Sequence, residues 1–419
     1  MEQPKNNMEL YAHQKELLEL NPAKCGIFFG MGAGKTAVAI KLADKNAFRA
    51  VVVVPKSLKE QWRGEIAMWR SKCEFIVYTK EEFKKKIDKI PQTNCLICDE
   101  VHIAGANWKS QLHGAIAYYL KKNNVQFVYL LTGTPYTSTC WSIYSIGKLL
   151  GRDWKWYDWK KRFFYDVKMG GRYIPVQRKG IEEEIAEITN KIGFTKRLDE
   201  LIDVPEQTFL TEYFDLNKEQ KKMINSLTDV LPIVRFTKIH QIEQGCLKSD
   251  GYSDDWVTDC EKTNRIIELC EYNPKIAIAA RYNLQLEHYK NVLSKKFPER
   301  TIYIINGETE NKSEIVDKIN DSNDAILLIN AMCSVGFNLY SVPLLVFASL
   351  DFSYTNFVQL AGRLLRINHP KKNVYITLIT NGKSIDKEVA RCVEDKKDFN
   401  IAIYDRETIS DKVFQMGKI

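Results

Sequence analysis

The sequence predicts an α/β protein of two units, each built on a parallel β-sheet that is covered by helices. Short apolar runs alternate with longer amphipathic stretches over residues 25–135, and the same alternation returns after residue 275. An aromatic and highly charged segment, residues 151–200, interrupts it. Strands that alternate with helices lie parallel in one sheet, so two such regions predict two sheets.

In the first region, the apolar runs have the length of buried strands, and the amphipathic stretches between them fit helices. The predicted strands are Cys25–Phe29, Ala50–Val54, Phe75–Tyr78, Asn94–Cys98 and Phe127–Leu131. The predicted helices are Thr36–Lys45, Leu58–Arg70 and Trp108–Lys121.

The second region repeats this pattern, and we place the boundary between the units near Pro205. The N-terminal unit then covers residues 1–204, with residues 151–204 as a helical and aromatic connecting segment, and the C-terminal unit covers residues 205–419. The predicted strands of the second region are Ile276–Ala280, Thr301–Ile305, Ala325–Asn330, Leu344–Ala348 and Val374–Ile379.

Composition permits this organisation and restricts the partners only weakly. The chain has 419 residues, 45% of them hydrophobic, which fits two or three domains of about 100–200 residues each. Lys and Arg number 61 against 53 Asp and Glu, so the formal net charge is +8. Such a mild basic excess is compatible with a polyanionic partner without indicating one.

The ten cysteines show no disulfide framework, which is typical of reduced thiols in a cytosolic protein. Cys95 and Cys98 form a C-x-x-C pair inside an apolar run, so a buried strand is favoured over a zinc or redox site. The N-terminus lacks the features of a signal peptide, and no apolar run approaches the ~20 residues of a membrane span. We therefore expect a cytoplasmic protein without a membrane partner.

A glycine-rich loop follows the first predicted strand and opens the first predicted helix. Its residues are Gly30, Met31, Gly32, Ala33, Gly34, Lys35 and Thr36, preceded by Phe29 where the strict phosphate-loop pattern has glycine. Glycines let backbone N–H groups turn toward phosphate oxygens, and the helix N-terminus adds partial positive charge. Lys35 is then placed to reach the β- and γ-phosphates, and the Thr36 hydroxyl to ligate Mg²⁺. The loop alone leaves kinases, GTPases and transporters open.

Two adjacent carboxylates, Asp99 and Glu100, follow another apolar strand in the sequence Asp-Glu-Val-His. They should therefore emerge at the same edge of the sheet as the phosphate loop. Asp99 is predicted to hold Mg²⁺ through water, and Glu100 to act as the general base that polarises the attacking water. A carboxylate pair about 60 residues after a phosphate loop favours an ATPase.

The order and spacing of these motifs resemble those of superfamily-2 helicases. The phosphate loop and the box Asp99–His102 are followed by Leu131–Pro135, as in that family. Residues Val53–Leu58, together with Gln61, Trp62 and Glu65, resemble the second motif of the Swi/Snf-like branch. The resemblance covers nearly the whole chain. It implies two RecA-like lobes of the P-loop NTPase fold, ATP in the cleft between them, and ATP and Mg²⁺ as cofactors.

Residues 359–366 reproduce the family's sixth motif, Q-x-x-G-R-x-x-R. On a helix, Arg363 and Arg366 share one face, from which both can address a single anion. The family places these arginines across the cleft from the phosphate loop. The resemblance therefore implies that they stabilise charge at the γ-phosphate, alongside the catalytic residues Lys35 and Glu100. Gln359 is carried over as an ATP contact.

Two looser matches extend the nucleotide site. Residues Gly336–Leu339 resemble the end of motif five, although Cys333–Val335 stand where the family has glycines and an acidic residue. Gly336 and Asn338 are therefore expected to contact ATP. Residues Tyr11–Gln14 resemble the adenine-reading motif in rearranged form, and Gln14 can form two hydrogen bonds with the adenine edge. The alternative is a surface helix with a stray glutamine.

The family's DNA contacts carry over onto small hydroxyl and amine side chains, which suit phosphate oxygens and read no bases. Residues Asn306–Thr309 resemble the family's D-G-x-T turn, with an amide in place of the acid. The aromatic and basic stretch Trp154–Phe164 is interpreted as packing between the lobes rather than as a stacking surface for bases. The residues expected to contact DNA are Lys56, Ser57, Thr132, Thr134 and Thr309.

The resemblance implies a DNA-dependent ATPase that translocates along duplex or branched DNA. The compact chain resembles phage or bacterial members of the family. We therefore expect a monomer in a bacterial or phage-infected cell that works on forks, recombination intermediates or bound proteins, and the sequence does not choose among these three. A separate nuclease or replication partner is compatible with this expectation. Three alternatives stay open: a motor subunit of a restriction or nuclease complex, an RNA-directed superfamily-2 helicase, and a clamp that binds ATP without hydrolysing it.

Overall fold

The computed structural model describes residues 9–30, 32–102, 108–136, 139–169, 172–196, 207–227, 232–249, 254–333, 337–364 and 372–395. The chain divides into two compact units, residues 1–203 and 204–419. In the described part of each unit, six strands form a parallel sheet, and helices lie between these strands along the chain. The predicted α/β fold of two RecA-like, parallel-sheet units is confirmed.

The sheet of the first unit brings the carboxyl ends of its strands to one edge. Its strands are β1 (Lys24–Phe29), β2 (Arg49–Val54), β3 (Glu74–Thr79), β4 (Cys95–Cys98), β5 (Phe127–Leu131) and β8 (Gly193–Lys196). They lie in the order β3-β2-β4-β5-β1-β8, and every neighbouring pair is parallel. Because β5 separates β1 from β4, the segments that follow β1 and β4 lie about 10 Å apart, two strand spacings, at the same edge.

Helices connect these strands, and side-chain caps define several of their first residues. Thr79 and Glu82 form a capping box at the helix that begins at Lys80, and the Ser110 hydroxyl accepts a hydrogen bond from the backbone N–H of His113 at the start of the helix that begins at Gln111. The helices are α1 (Ala12–Leu20), α2 (Lys35–Asn46), α3 (Lys59–Met68), α4 (Lys80–Lys85), α5 (Gln111–Lys122), α6 (Trp141–Leu149), α7 (Trp156–Phe163) and α8 (Glu182–Ile192). Short 3₁₀ turns span Lys56–Leu58 and Ile87–Lys89.

The aromatic stretch after α6 packs within the first unit. Trp154 stacks on Trp159 with ring centroids 4.8 Å apart, and Trp156 lies 4.5 Å from Trp141 of α6. These rings join the core beneath the sheet, which is why tryptophans follow one another so closely in the sequence. The partners that these rings contact lie in the first unit, so the described structure shows packing within that unit and does not test the predicted packing between the lobes. An antiparallel hairpin follows, β6 (Phe164–Met169) and β7 (Arg172–Gln177).

The second unit repeats the parallel design. The strands of its sheet are β9 (Gln207–Phe214), β12 (Lys275–Ala280), β13 (Ile302–Ile305), β14 (Ala325–Asn330), β15 (Leu344–Phe347) and β16 (Asn373–Thr380). They lie in the order β13-β14-β12-β15-β16-β9, and all neighbours are parallel. A separate antiparallel pair consists of β10 (Cys246–Leu247) and β11 (Trp256–Val257).

A buried ion cluster ties together three helices of the second unit. The Lys262 ammonium donates to the Asp386 carboxylate over 2.6 Å, and the backbone N–H of Asp386 donates to Glu243 over 2.9 Å. Because an unpaired charge in the protein interior is strongly disfavoured, the cluster holds the helices of Glu243, Lys262 and Asp386 together.

The helices of the second unit are α9 (Lys218–Ser226), α10 (Pro232–Glu243), α11 (Glu261–Tyr272), α12 (Asn283–Lys296), α13 (Lys312–Asp321), α14 (Tyr354–Ala361) and α15 (Ile385–Glu394), with a 3₁₀ turn at Ala331–Cys333.

Every strand predicted from an apolar run is present, with bounds that differ from the prediction by one residue at most at either end. In the described part of the chain, no helix is long and apolar enough to cross a membrane.

Cys95 and Cys98 lie on β4 and are fully buried, so the pair belongs to the core of the sheet. Burial raises the pKa of the Cys98 thiol to about 12, which leaves very little thiolate near neutral pH. Cys333 and Cys392 are only half-buried. We therefore expect an alkylating reagent to modify Cys333 and Cys392 in the native protein long before the β4 pair, as measured by peptide mass spectrometry. Equal labelling rates for Cys98 and Cys392 would contradict this placement.

Candidate active site

The phosphate loop connects β1 to α2 at the carboxyl edge of the first sheet. Gly32 and Gly34 have positive φ angles of 79° and 73°, a backbone conformation that side chains with a Cβ rarely adopt. A Cβ at Gly34 would also stand 2.1 Å from the Gln14 amide nitrogen. These two glycines are therefore required by the shape of the loop. Met31 lies outside the described residues.

Lys35 is the first residue of α2, and Thr36 is the second. The Lys35 ammonium donates hydrogen bonds to the backbone carbonyls of Phe29 and Gly30 over 3.1 and 3.3 Å, so it folds back onto the start of the loop. The N-terminus of α2 contributes partial positive charge at the same place. Together these groups form a cationic cradle of the kind that binds phosphate.

Helix α1 holds the phosphate loop through two neighbouring side chains. The His13 ring lies 3.0 Å from the carbonyl of Ala33, and the Gln14 amide donates to the carbonyl of Gly34 over 2.9 Å. The Gln14 carbonyl oxygen accepts a hydrogen bond from the backbone N–H of Tyr11. Gln14 is 2% exposed, and both ends of its amide have partners within the protein. The structure therefore places Gln14 as a clamp on the loop.

Asp99 and Glu100 follow β4 directly, and both side chains are buried. The Asp99 carboxylate accepts hydrogen bonds of 2.8 Å from the Trp62 indole N–H and from the backbone N–H of Glu100. Burial raises the pKa of Asp99, the Glu100 charge adds to that rise, and the Trp62 hydrogen bond and the nearby Lys35 charge oppose it. The parallel strand order β4-β5-β1 places both carboxylates at the same sheet edge as the loop.

Glu100 is held by a network that reaches the next strand. Its carboxylate lies 3.3 Å from the His102 ring, and the same ring nitrogen lies 2.9 Å from the Thr132 hydroxyl, just after β5. That hydroxyl accepts a hydrogen bond from the backbone N–H of Thr134. The Glu100 backbone has a positive φ of 47°, which is unusual for a residue with a side chain and is often found where function requires it.

Residues expected to contact DNA differ in their exposure. Lys56 and Ser57 are exposed on the 3₁₀ turn after β2. Thr309 is half-buried, and its hydroxyl closes the turn after β13 by bonding Asn306. Thr134 is half-buried as well. Thr132 is fully buried against His102, which leaves it no surface with which to contact DNA.

In the second unit, the segments predicted to bind nucleotide contact one another. The backbone N–H of Leu339, next to Asn338, donates to the carbonyl of Arg363 over 2.9 Å. The Arg363 guanidinium lies 5.8 Å from the centre of the Phe337 ring. Gln359 is buried on α14. Gly336 and Arg366 lie outside the described residues.

One local prediction in this region is wrong. The sequence placed Arg363 on a helix, but α14 ends at Ala361 and Arg363 lies in the turn that follows. Gly362 at the helix end weakens the helical preference, and the carbonyl of Arg363 bonds Leu339 instead of continuing the helix.

Comparisons with known proteins give one family match and one similar solved structure. Residues 261–368 match the helicase conserved C-terminal domain. The second unit therefore contains a helicase C-terminal domain, and the predicted resemblance to helicases is confirmed over these residues. Among solved structures, the chain is similar to the SWI2/SNF2 ATPase core of Sulfolobus solfataricus in complex with dsDNA, with 17% identity, a TM-score of 0.42, and coverage of 99% of this chain and 96% of that one. A comparison with curated proteins finds no match.

Proposed function

We propose that this chain hydrolyses ATP in response to DNA and moves along DNA as a translocase of the Swi/Snf-like branch. The observation that carries the proposal is the meeting of a phosphate loop and two buried carboxylates at one edge of a parallel sheet, with the Lys35 ammonium held on the carbonyls of that loop. The helicase C-terminal domain in the second unit supports it.

Each residue of the first unit has a defined task in this proposal. Lys35 and the N-terminus of α2 bind the phosphates, and the Gln14 clamp keeps the loop in the shape that this requires. Glu100 takes the proton from the attacking water. His102 holds the Glu100 carboxylate, and Thr132 orients His102, so we assign Thr132 to this network rather than to the DNA-contacting surface.

Mg²⁺ fits the residues present, because Asp99 supplies carboxylate oxygens and Thr36 a hydroxyl close to the phosphate loop. When bound, the ion neutralises negative charge that develops on the phosphate oxygens. The indole of Trp62 keeps the Asp99 carboxylate in one orientation, so that its second oxygen stays with the backbone of Glu100.

We expect ATP hydrolysis to depend on DNA, with duplex serving at least as well as single strands. Lys35 and Glu100 belong to the first unit and Arg363 to the second, and a polymer bound by Lys56 and Thr309 would favour their productive arrangement. Stimulation of at least about tenfold requires that DNA binding lower the activation free energy of hydrolysis by only about 1.4 kcal/mol. Because the proposed contacts are with phosphates of the DNA backbone, the DNA concentration for half-maximal stimulation should rise steeply between about 50 and 200 mM salt.

The measurement is phosphate release with duplex, forked duplex, single-stranded DNA and RNA at two salt concentrations. Preferential stimulation by the forked duplex would support work at forks or recombination intermediates. Stimulation by RNA alone would instead identify an RNA-directed helicase. Full turnover without nucleic acid would contradict the coupling to DNA, and ATP binding without any hydrolysis would identify a clamp. A nuclease that co-purifies with the active chain would identify the motor subunit of a nuclease complex.

A further inference from the structure

A buried lysine that none of the motifs named above includes contacts the backbone of Glu100. Lys80 is the first residue of α4 and is 4% exposed. Burial disfavours its charged form, and the N-terminus of a helix is an unfavourable place for a cation. Exposed lysines such as Lys85 occur on the same helix without either disadvantage. A buried cation in this position therefore requires a compensating interaction.

The compensation comes from the carboxylate site. The Lys80 ammonium donates to the backbone carbonyl of Glu100 over 2.8 Å. Burial lowers the pKa of Lys80, while the charges of Glu100 and Asp99 are among those that oppose the shift. Lys80 is thus paired with the residue that the proposed function makes the general base, and it reaches that residue through the backbone rather than through the carboxylate.

The backbone of Glu100 is where such a contact has an effect. Its φ of 47° lies in the left-handed region, which residues with a Cβ adopt only when surrounding groups hold them there. The N–H of Glu100 is held by Asp99, and its carbonyl is held by Lys80. If the carbonyl were released, the peptide would be free to relax, and the carboxylate would leave His102.

We propose that Lys80 is a positioning residue for Glu100: by holding the Glu100 carbonyl, it fixes the strained backbone and aims the carboxylate. This inference rests on the proposed role of Glu100 as the base. Lys80 acts through Glu100 and has no contact with substrate in this proposal. A misplacement of about 1 Å in a reacting group can cost about 10²-fold in rate, so a residue of this kind has a measurable effect on turnover.

The test is Lys80→Met, which keeps the length of the side chain and removes the ammonium. We expect the DNA-stimulated kcat to fall on the order of 10- to 100-fold, while the affinity for a fluorescent ATP analogue and the KM for ATP stay within about twofold. Lys80→Arg keeps a charged donor and should recover part of the loss. Lys85→Met, an exposed change on the same helix, is the matched control and should retain the parent kcat.

Combining Lys80→Met with Glu100→Gln separates positioning from a general structural effect. If Lys80 acts only through Glu100, it should cause no further loss of single-turnover rate once Glu100 is glutamine. Three outcomes would each overturn the inference. They are an equal fold-decrease in single-turnover rate in both backgrounds, an unchanged kcat in Lys80→Met, and a loss of ATP affinity that accounts for the whole decrease in rate. If Lys80→Met does not fold, Lys80→Gln, which also removes the ammonium but keeps a polar side chain, takes its place in the same two backgrounds.

The two hypotheses fail in different ways. Near-normal turnover in Glu100→Gln contradicts the proposed base whatever Lys80 does. A large loss in Glu100→Gln, accompanied by equal effects of Lys80 in both backgrounds, leaves the proposed function standing and removes only the positioning role.

Discussion

Glu100→Gln is expected to bind ATP as the parent chain does but to hydrolyse it at least about 10²-fold more slowly with DNA present. Glutamine keeps the size of the side chain and can still bond the His102 ring, so the site should keep its shape. It cannot accept a proton from water at neutral pH, so the general-base step is lost. Phosphate release measures the turnover, and titration with a fluorescent ATP analogue measures the binding.

The control for this experiment is Glu19→Gln, an equivalent change at an exposed position of α1. It should retain the parent rate, since it removes the same charge from the first unit without touching the carboxylate site. Near-normal DNA-stimulated turnover in Glu100→Gln would mean that another group takes the proton. Weaker ATP binding with the same kcat would instead make Glu100 a ground-state ligand.

Most of the fold could be predicted from sequence because fully buried parallel strands are almost continuously apolar. β2 and β14 show this directly. Within the two six-stranded sheets, the strands that sequence patterns missed are the edge strands β8 and β9. In β9, exposed and half-buried residues are mixed, so no apolar run marks it, and its pairing with β16 arises only in the folded sheet.

The phosphate loop and the carboxylate pair could be predicted because each is a contiguous motif. Lys80 and His13 could not, since each meets its partner about 20 residues away in sequence through a single hydrogen bond. A lysine directly after a strand, in the first turn of a capped helix, is the only local signal for Lys80. Nothing in the sequence indicates the left-handed backbone conformation at Glu100, because glycine or asparagine normally marks that conformation.

For Thr132, the sequence predicts the position of the motif after β5 but not the contact of its hydroxyl with His102. Its position after β5 was predicted, and a hydroxyl suits a phosphate oxygen. The sheet order places β5 beside β4, however, so the hydroxyl meets His102 before it reaches the surface. Strand order, which sequence does not reveal, decides which contact the residue makes.

Arg363→Ala is expected to reduce turnover by about 10³-fold or more while ATP affinity changes little. The phosphate loop of the first unit supplies the ground-state contacts in our proposal, so binding should survive. An arginine that meets charge developing at the γ-phosphate affects only the transition state. Arg363 is held for such a task by its carbonyl bond to Leu339 and by the neighbouring Phe337 ring, which tie it to the segment of Asn338.

Arg363→Lys adds a sharper test, because lysine keeps the charge but lacks the planar fork of donors, and should restore only a small part of the rate. Arg391→Ala, an exposed arginine of the same unit that pairs with Glu388, is the matched control and should hydrolyse ATP normally. Weakened ATP binding with unchanged turnover in Arg363→Ala would place this arginine in the ground state. Parent-like values for both quantities would exclude Arg363 from the reaction and leave Arg366 as the candidate arginine of the second unit.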